Sequence, residues 1–309
     1  MSHAIIIPIY CENRNTINLC NELQNFGAEH IVVVNDGLNP KSEYFNELTS
    51  IGCHLVHLKN NNGKGASLKA GIKYAHDNLY NITGYITCDA DGQHTANDVM
   101  KISRMLDLRN GSLILGKRDY KKSKMPINIR IGNRLSSAYF KVITGKSCRD
   151  TQTGLRGIPA FLYDTVMKTK GSRFDFEMNF LTKCADMRVP FYFVNIIADC
   201  SNCSSNFRLI KDTYLIYRTP LRFATASIGC TIIDLVLFTI FAYILPSHMF
   251  FNIMLATLMA RVVSGGINFL INRKVIFGNT DNGAKQALRF FILFFCIMCA
   301  SSLLSLIHI

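Results

Sequence analysis

The chain has 309 residues, 34 Lys and Arg against 21 Asp and Glu, a net charge of +13 and 49% hydrophobic residues, enough for one α/β domain of roughly 200 residues and a second unit. The charge does not lie where nucleic acid would need it. Arg208, Lys211, Arg218 and Arg222 precede the first long apolar run, and Arg273, Lys274, Lys285 and Arg289 lie between the second and third, positions that face an anionic cytoplasmic leaflet. Eleven cysteines scattered along the chain, with no signal-peptide pattern ahead of them, exclude a secreted disulfide framework and imply reduced thiols.

Short β-like runs alternate with helical patterns through the first half, which predicts βαβ units and a Rossmann-like, mostly parallel sheet. The first strand, Ala4 to Ile9, leads through Pro8, Tyr10, Cys11, Glu12 and Asn13 to a helix over Thr16 to Phe26. The second, His30 to Val34, ends on Asn35, Asp36 and Gly37 before a helix at Ser42 to Ile51. Ligands of such sheets bind beyond the carboxyl ends of the strands, where an aromatic ring and carboxylates can hold a nucleoside.

The third strand, Cys53 to Leu58, runs through Asn60, Asn61, Asn62, Gly63, Lys64 and Gly65 into a helix over Ala66 to Asn78. Glycines opening a helix, the helix dipole and a lysine favour a diphosphate. The loop is not a Walker A loop, because Gly65 rather than Ser or Thr follows Lys64.

The fourth strand, Tyr85 to Cys88, delivers Asp89, Ala90, Asp91, Gly92, Gln93 and His94. Residues two apart in extended backbone project to the same side, so Asp89 and Asp91 can converge on one hard divalent cation; the alternative is a solvated acidic turn. A helix over Ala96 to Leu108 and a fifth strand, Ser112 to Leu115, follow. Arg130 and Arg134 then stand one helical turn apart, a spacing that suits a phosphate or a solvated helix face alike. Asp150, Thr151, Gln152, Thr153, Gly154, Leu155 and Arg156 form a polar run behind them.

After Phe223 the composition turns apolar. The runs Phe223 to Leu245, Phe250 to Ile271 and Phe290 to Ile307 approach the roughly 20 residues needed to span a bilayer. Before them, Phe207, Ile210, Tyr214, Tyr217 and Leu221 share one helical face, the pattern of an amphipathic helix lying in the interface or of a helix packed on the soluble domain, with Arg208 near its start. Asp234 and Arg261 fall near the middle of their runs, and the short connection Pro246 to Met249 makes those runs antiparallel neighbours, so the two charges are expected to pair. The connection has no Lys or Arg while Arg273 to Arg289 has four. That bias predicts a multi-pass anchor in the cell membrane with the amino-terminal domain in the cytosol.

In this order the runs PIYCEN, NDG, NNGKGAS, DADGQH and DTQTGLR resemble the family 2 glycosyltransferases of the dolichol-phosphate mannose synthase and polyprenyl-phosphate glucosyltransferase type. The resemblance covers Ile5 to about Arg222. It implies a GT-A fold, an α/β nucleotide-sugar-binding domain over residues 1–206, a juxtamembrane helix over 207–222 and an all-α membrane domain over 223–309. It also implies inverting transfer of one sugar from a nucleotide diphosphate sugar, UDP-glucose or GDP-mannose, to undecaprenyl or dolichyl phosphate, with Mg²⁺ or Mn²⁺. Carried over position by position, Pro8, Tyr10, Glu12 and Asp36 resemble the nucleoside pocket, with Gly63 and Lys64 near the diphosphate. Asp89, Asp91 and Gln93 match the metal-binding positions, and Arg118, Arg130 and Arg134 those that gather the acceptor phosphate. Asn35 departs from the pattern, since many relatives have a second Asp there. Arg222, Phe223, Gly229, Asp234, Asn268, Phe269, Asn272, Arg273 and Phe277 resemble the GtrA-like membrane family, which is linked to moving or retaining lipid-linked sugars.

Two other readings stay open on the sequence. A processive polysaccharide synthase would carry a Gln, Arg and Trp motif, and the chain has no tryptophan. A non-enzymatic module serving a lipid-sugar flippase would not need intact GKG and DADGQH runs. Homo-oligomerisation is compatible with all three.

Overall fold

The computed structural model describes residues 2–119, 127–197, 209–245, 250–271 and Ile292. The chain divides into two compact units, Met1–Ile216 and Tyr217–Ile309.

In the first unit the strands β1 (Ser2–Ile9), β2 (His30–Asp36), β3 (His54–Leu58) and β4 (Ile82–Thr87) alternate with helices α1 (Arg14–Asn25), α2 (Glu43–Ser50) and α3 (Lys64–Asn78). Helix α4 (Ala96–Leu108), strand β5 (Leu113–Arg118) and helix α5 (Ile127–Thr144) come next. They lead to β6 (Arg156–Pro159), a short 3-10 turn, α6 (Tyr163–Lys168), α7 (Phe174–Asp186) and β7 (Phe191–Ile196). The seven strands form one sheet in the order β3-β2-β1-β4-β6-β5-β7. Only β6 runs antiparallel, hydrogen-bonded to β4 on one side and β5 on the other. This is the expected GT-A-like α/β sheet, with two strands, the inserted β6 and the edge strand β7, that the alternation of patterns did not signal.

Period-two alternation explains why the sheet is buried on both faces. Ile5, Ile7 and Ile9 of β1 enter one core with Ile17, Leu23, Phe45, Leu48, Val99 and Ile102 of α1, α2 and α4. Ala4 and Ile6 enter the other with Leu68, Ile72, Phe176 and Phe180 of α3 and α7. Local chemistry starts the helices: the Asn13 side chain accepts from Asn15 N, that of Ser42 from Tyr44 N and that of Thr95 from Asp98 N, each satisfying a donor the first turn cannot. From β1 the chain builds outward through β2 and β3, then returns to the other side of β1 as β4. The carboxyl ends of β1 and β4 therefore flank the switch in strand order, the place where such sheets open a crevice.

Helix α8 (Leu209–Ile244) begins at the end of the first unit and supplies the first helix of the second, so the helical backbone is continuous from the expected juxtamembrane segment into the first apolar run. Within it Thr225–Ile244, 20 residues of mean hydropathy 2.0, is long and apolar enough to cross a membrane, while in α9 (Phe250–Ile271) the apolar stretch Leu255–Ile271 is shorter. Asp234 does not take the partner the sequence implied. Its Oδ1 accepts from Ser264 Oγ at 2.6 Å, and no ion pair between Asp234 and Arg261 occurs among the described residues; Ser264, one helical turn beyond Arg261, supplies a short neutral donor in its place. Arg208, the connection Pro246 to Met249, the loop Arg273 to Arg289 and, apart from Ile292, the third apolar run lie outside the described residues.

Candidate active site

The end of β4 carries Asp89 and Asp91, and three neighbours fix its path. Thr16 Oγ1 of α1 donates to Ala90 O at 3.0 Å, Thr87 Oγ1 donates to Gly154 O at 2.7 Å, and Cys88 N donates to Ile6 O at 3.0 Å. Gly92 turns the chain with φ of 85°, in the left-handed region that glycine enters without strain. Gly154, in the polar run just before β6, lies against Asp89, where a Cβ would overlap the Asp89 carboxylate.

Asp89 is held by Lys64 and His94. Lys64 Nζ, from the first turn of α3, lies 2.6 Å from Asp89 Oδ1 and 3.0 Å from Glu177 Oε1 of α7, and His94 Nε2 lies 3.7 Å from Asp89 Oδ2. Burial alone would raise the Asp89 pKa, but the Lys64 ammonium and His94 override it and hold the carboxyl far below the usual range. Burial likewise opposes the charge on Lys64, and Asp89 and Glu177 override it and raise that pKa. Asp91 goes the other way: burial first, and the Asp89 charge second, push its pKa up. Its Oδ1 accepts from Gln93 N at 3.1 Å and its Oδ2 from the Gln93 side-chain amide. Gln93, matched by resemblance to a metal ligand, here supports Asp91.

The donor set can be tested against a divalent ion on these contacts. Asp89 already carries a cation on one oxygen, and the ionised form of Asp91 is disfavoured by burial and then by its neighbour's charge, a cost that a divalent ion held by these carboxylates would offset. Among the described residues no group of three or more His, Cys, Asp or Glu side chains is placed to hold a metal ion by itself. Two carboxylates fit an ion whose remaining ligands are phosphate oxygens and water.

The loop before α3 differs from the expected phosphate cradle. Asp36, buried, accepts from Asn62 N at 2.8 Å and from Gly63 N at 2.9 Å, and Ala66 N donates to Ser172 O at 2.9 Å. These protein acceptors take the N–H groups of Asn62, Gly63 and Ala66 in the loop that was expected to face a diphosphate. Gly63, with φ of 94°, is needed because a Cβ there would strike Arg173 and the Ser172 carbonyl. Asp36 thus ties β2 to the loop, and Lys64 is what the loop presents to Asp89. Asn35 is equally internal, accepting from Leu38 N at 2.7 Å. Pro8 and Tyr10 are half-buried at the end of β1, and Glu12 is exposed beyond them.

Arg118 also departs from expectation. Buried at the end of β5, its Nε and Nη2 donate to Asp150 Oδ2 and Oδ1, both at 2.7 Å, so it braces the polar run and is not presented to an acceptor phosphate. Arg156 is buried and donates to the carbonyls of Thr153, Thr151 and Glu177. Arg130 and Arg134 are exposed on α5, and Gln152 is half-buried beside Asp150, whose Oδ1 accepts from Gln152 N. Sequence reasoning missed Glu177, His94 and Gly154 as contributors. The last two sit inside motifs already singled out, whereas nothing local marks Glu177 in an ordinary amphipathic helix.

Comparison with known proteins adds the family. The model described as Glycosyl transferase family 2 matches residues 4–164, more than half of the chain, and the one described as GtrA/DPMS, transmembrane domain matches residues 222–309. An uncharacterised protein of Methanocaldococcus jannaschii is 32% identical over 57% of this chain and 73% of its own. The UDP-N-acetylglucosamine–dolichyl-phosphate N-acetylglucosaminyltransferase of Methanococcus voltae is 29% identical over 49% of this chain and 67% of its own. Among solved structures, glucosyl-3-phosphoglycerate synthase of Mycobacterium tuberculosis with UDP superposes with a TM-score of 0.52 at 12% identity, over 72% of this chain and 78% of that one, a likeness of fold. The chain belongs to glycosyltransferase family 2 and is a glycosyltransferase with a GtrA/DPMS-type, membrane-associated carboxyl-terminal domain.

Proposed function

We propose that the chain transfers a single sugar, with inversion, from a nucleotide diphosphate sugar to a polyprenyl phosphate at the cytosolic face of the membrane, for a cell-surface glycan. The observation that carries the reading is the placement of Asp89 and Asp91 at the end of β4, with the Lys64 ammonium 2.6 Å from Asp89. In this reading residues 1–206 form the catalytic domain, 207–222 an interfacial segment and 223–309 a multi-pass anchor. Mg²⁺ or Mn²⁺ at Asp89 and Asp91 would supply charge neutralisation on the departing diphosphate. The Methanococcus relative named for a dolichyl-phosphate acceptor supports the acceptor class and adds UDP-N-acetylglucosamine to UDP-glucose and GDP-mannose as donors. A Mycobacterium neighbour of the same fold solved with Mn²⁺ and UDP-glucose supports the divalent ion.

The remaining steps belong to the chain's own residues. Asp89 and Asp91 orient the donor, and Lys64, held by Glu177, keeps a positive charge beside them. Arg130 and Arg134 offset the repulsion between an anionic acceptor and an anionic donor. A lipid phosphate is already ionised near neutral pH, so positioning supplies most of the catalysis and no dedicated general base is needed. The polar-run carboxylate that would be a base, Asp150, is buried and taken by Arg118.

The test uses membranes containing the full chain, incubated with each labelled donor and extracted with chloroform. A labelled, acid-labile lipid product from one donor, lost on EDTA treatment and in Asp91→Ala, is expected. No lipid product from any of the three donors, or near wild-type turnover in Asp91→Ala, overturns the reading.

A further inference from the structure

Beside the candidate ion site one ammonium serves two carboxylates. Lys64 Nζ lies 2.6 Å from Asp89 Oδ1 and 3.0 Å from Glu177 Oε1. Both carboxylates are fixed from outside the pair. Gly154 packs closest to Asp89 Oδ2, and His94 Nε2 faces the same oxygen at 3.7 Å, so Oδ2 is enclosed and Oδ1 is the oxygen left for a cation. Glu177, 6% exposed, is held through its carbonyl, which accepts from Arg156 Nη1 at 3.0 Å, while the same guanidinium donates to the carbonyls of Thr151 and Thr153 in the polar run. A staple between α3 and α7 does not account for this carboxylate. The starts of the two helices are already joined, since Ala66 N donates to Ser172 O at 2.9 Å and Gly65 is pressed on Phe176, where a Cβ would overlap the Phe176 side chain. Burying a charge costs more than burying an apolar side chain of the same volume, so a contact that only joined helices would use the latter.

We propose that Glu177 is a positioning residue for the ion: it is the seat to which the Lys64 ammonium withdraws when Asp89 Oδ1 passes to a divalent cation. Lysine suits the task, because its flexible stem moves a compact charge between two fixed carboxylates without moving either helix. Arg118 on Asp150 shows the contrast, a bidentate fork built to stay. The exchange removes two penalties. An ammonium left on Asp89 would repel the incoming ion, and one pushed off Asp89 in a site without Glu177 would lose its carboxylates while still buried. With Glu177 in place the ammonium gives up the nearer carboxylate and keeps the farther one. The inference rests on the divalent ion of the proposed function and concerns how the site admits it, whichever sugar is transferred.

Mn²⁺ binding to the full chain in detergent, followed by electron paramagnetic resonance without donor or acceptor, tests this independently of turnover. Asp91→Ala identifies the signal that belongs to this site. Lys64→Met, which removes the competing charge and keeps most of the stem, should tighten Mn²⁺ binding several-fold. Glu177→Gln should weaken it several-fold, and Glu177→Asp, which keeps the carboxylate, should recover most of the loss. In the Lys64→Met background Glu177→Gln should have little effect, a result that a structural role of Glu177, or its direct attraction for the ion, would not give. An equal loss from Glu177→Gln in both backgrounds overturns the proposal and leaves the ion site standing. Mn²⁺ affinity that is unchanged or weaker in Lys64→Met does the same, and that arm decides the matter by itself if Glu177→Gln does not fold. If the wild type shows no Mn²⁺ binding that Asp91→Ala removes, the metal reading fails, and the proposal with it.

Discussion

Arg118 and Asp150, 32 residues apart in sequence, meet as a buried bidentate ion pair with both contacts at 2.7 Å, and the Arg118 backbone N–H adds a third bond to the same carboxylate at 3.3 Å. The pair ties the end of β5 to the polar run that passes under Asp89. Removing one partner of a buried pair leaves the other charge uncompensated, at about 3–5 kcal/mol. Asp150→Ala should therefore lower the unfolding temperature markedly, and Asp150→Asn less so. The residual activity of Asp150→Asn should keep the pH profile of the wild type, because the carboxylate is a brace. A pH–rate limb present in the wild type and lost in Asp150→Asn would make Asp150 a base.

Gly154 is the floor on which Asp89 rests. Because a Cβ there would overlap the carboxylate, Gly154→Ala should push Asp89 off its position while leaving the sheet formed. The expected outcome is a loss of Mn²⁺ affinity, read by electron paramagnetic resonance, of at least tenfold with a far-ultraviolet circular dichroism spectrum like that of the wild type. Unchanged Mn²⁺ binding would show that Asp89 does not hold the ion.

The Lys64–Asp89 contact has a pH window set by both partners. Lys64 has its pKa raised from an unfolded value near 10.5, so its contribution is complete below that value and is lost as pH rises through the higher folded one. Asp89 has its pKa lowered from an unfolded value near 3.8, so its contribution is present above that value and is lost as pH falls through the lower folded one. The difference in unfolding temperature between wild type and Lys64→Met should be flat from about pH 5 to about pH 9 and shrink outside that range. A difference that changed steadily through neutrality would mean that another group sets the stability of the cluster.

Ser264 gives Asp234 its hydrogen bond at 2.6 Å between α8 and α9. Hydrogen bonds between helices of this apolar kind contribute roughly 0.6 kcal/mol on average. Ser264→Ala should cost at least that much, measured as thermal stability in detergent, and Asp234→Asn, which keeps an acceptor, should cost less. If Arg261→Ala destabilises more than Ser264→Ala, the ionic partner dominates after all.

The sequence by itself determined the elements and where the chemistry sits along the chain. Short apolar runs became β1 to β5, helical runs with Asn13, Ser42 and Thr95 at their starts became α1, α2 and α4, and the spacing of Asp89 and Asp91 put two carboxylates at one strand end. These are local properties of a few consecutive residues, so a linear reading recovers them. Tertiary structure alone decided the partners. Asp36 is used on the Asn62–Gly63 backbone, Arg118 on Asp150, Lys64 on Asp89 and Glu177 together, and Asp234 on Ser264. Each pairing is set by which strands and helices lie side by side, and a buried charge takes whatever acceptor the packing brings within reach because leaving it unpaired costs more than any local preference. The strand β6 was hidden for the same reason: Arg156–Pro159 reads as the tail of a polar run, and it becomes a strand only because β4 and β5 supply hydrogen-bond partners on both sides.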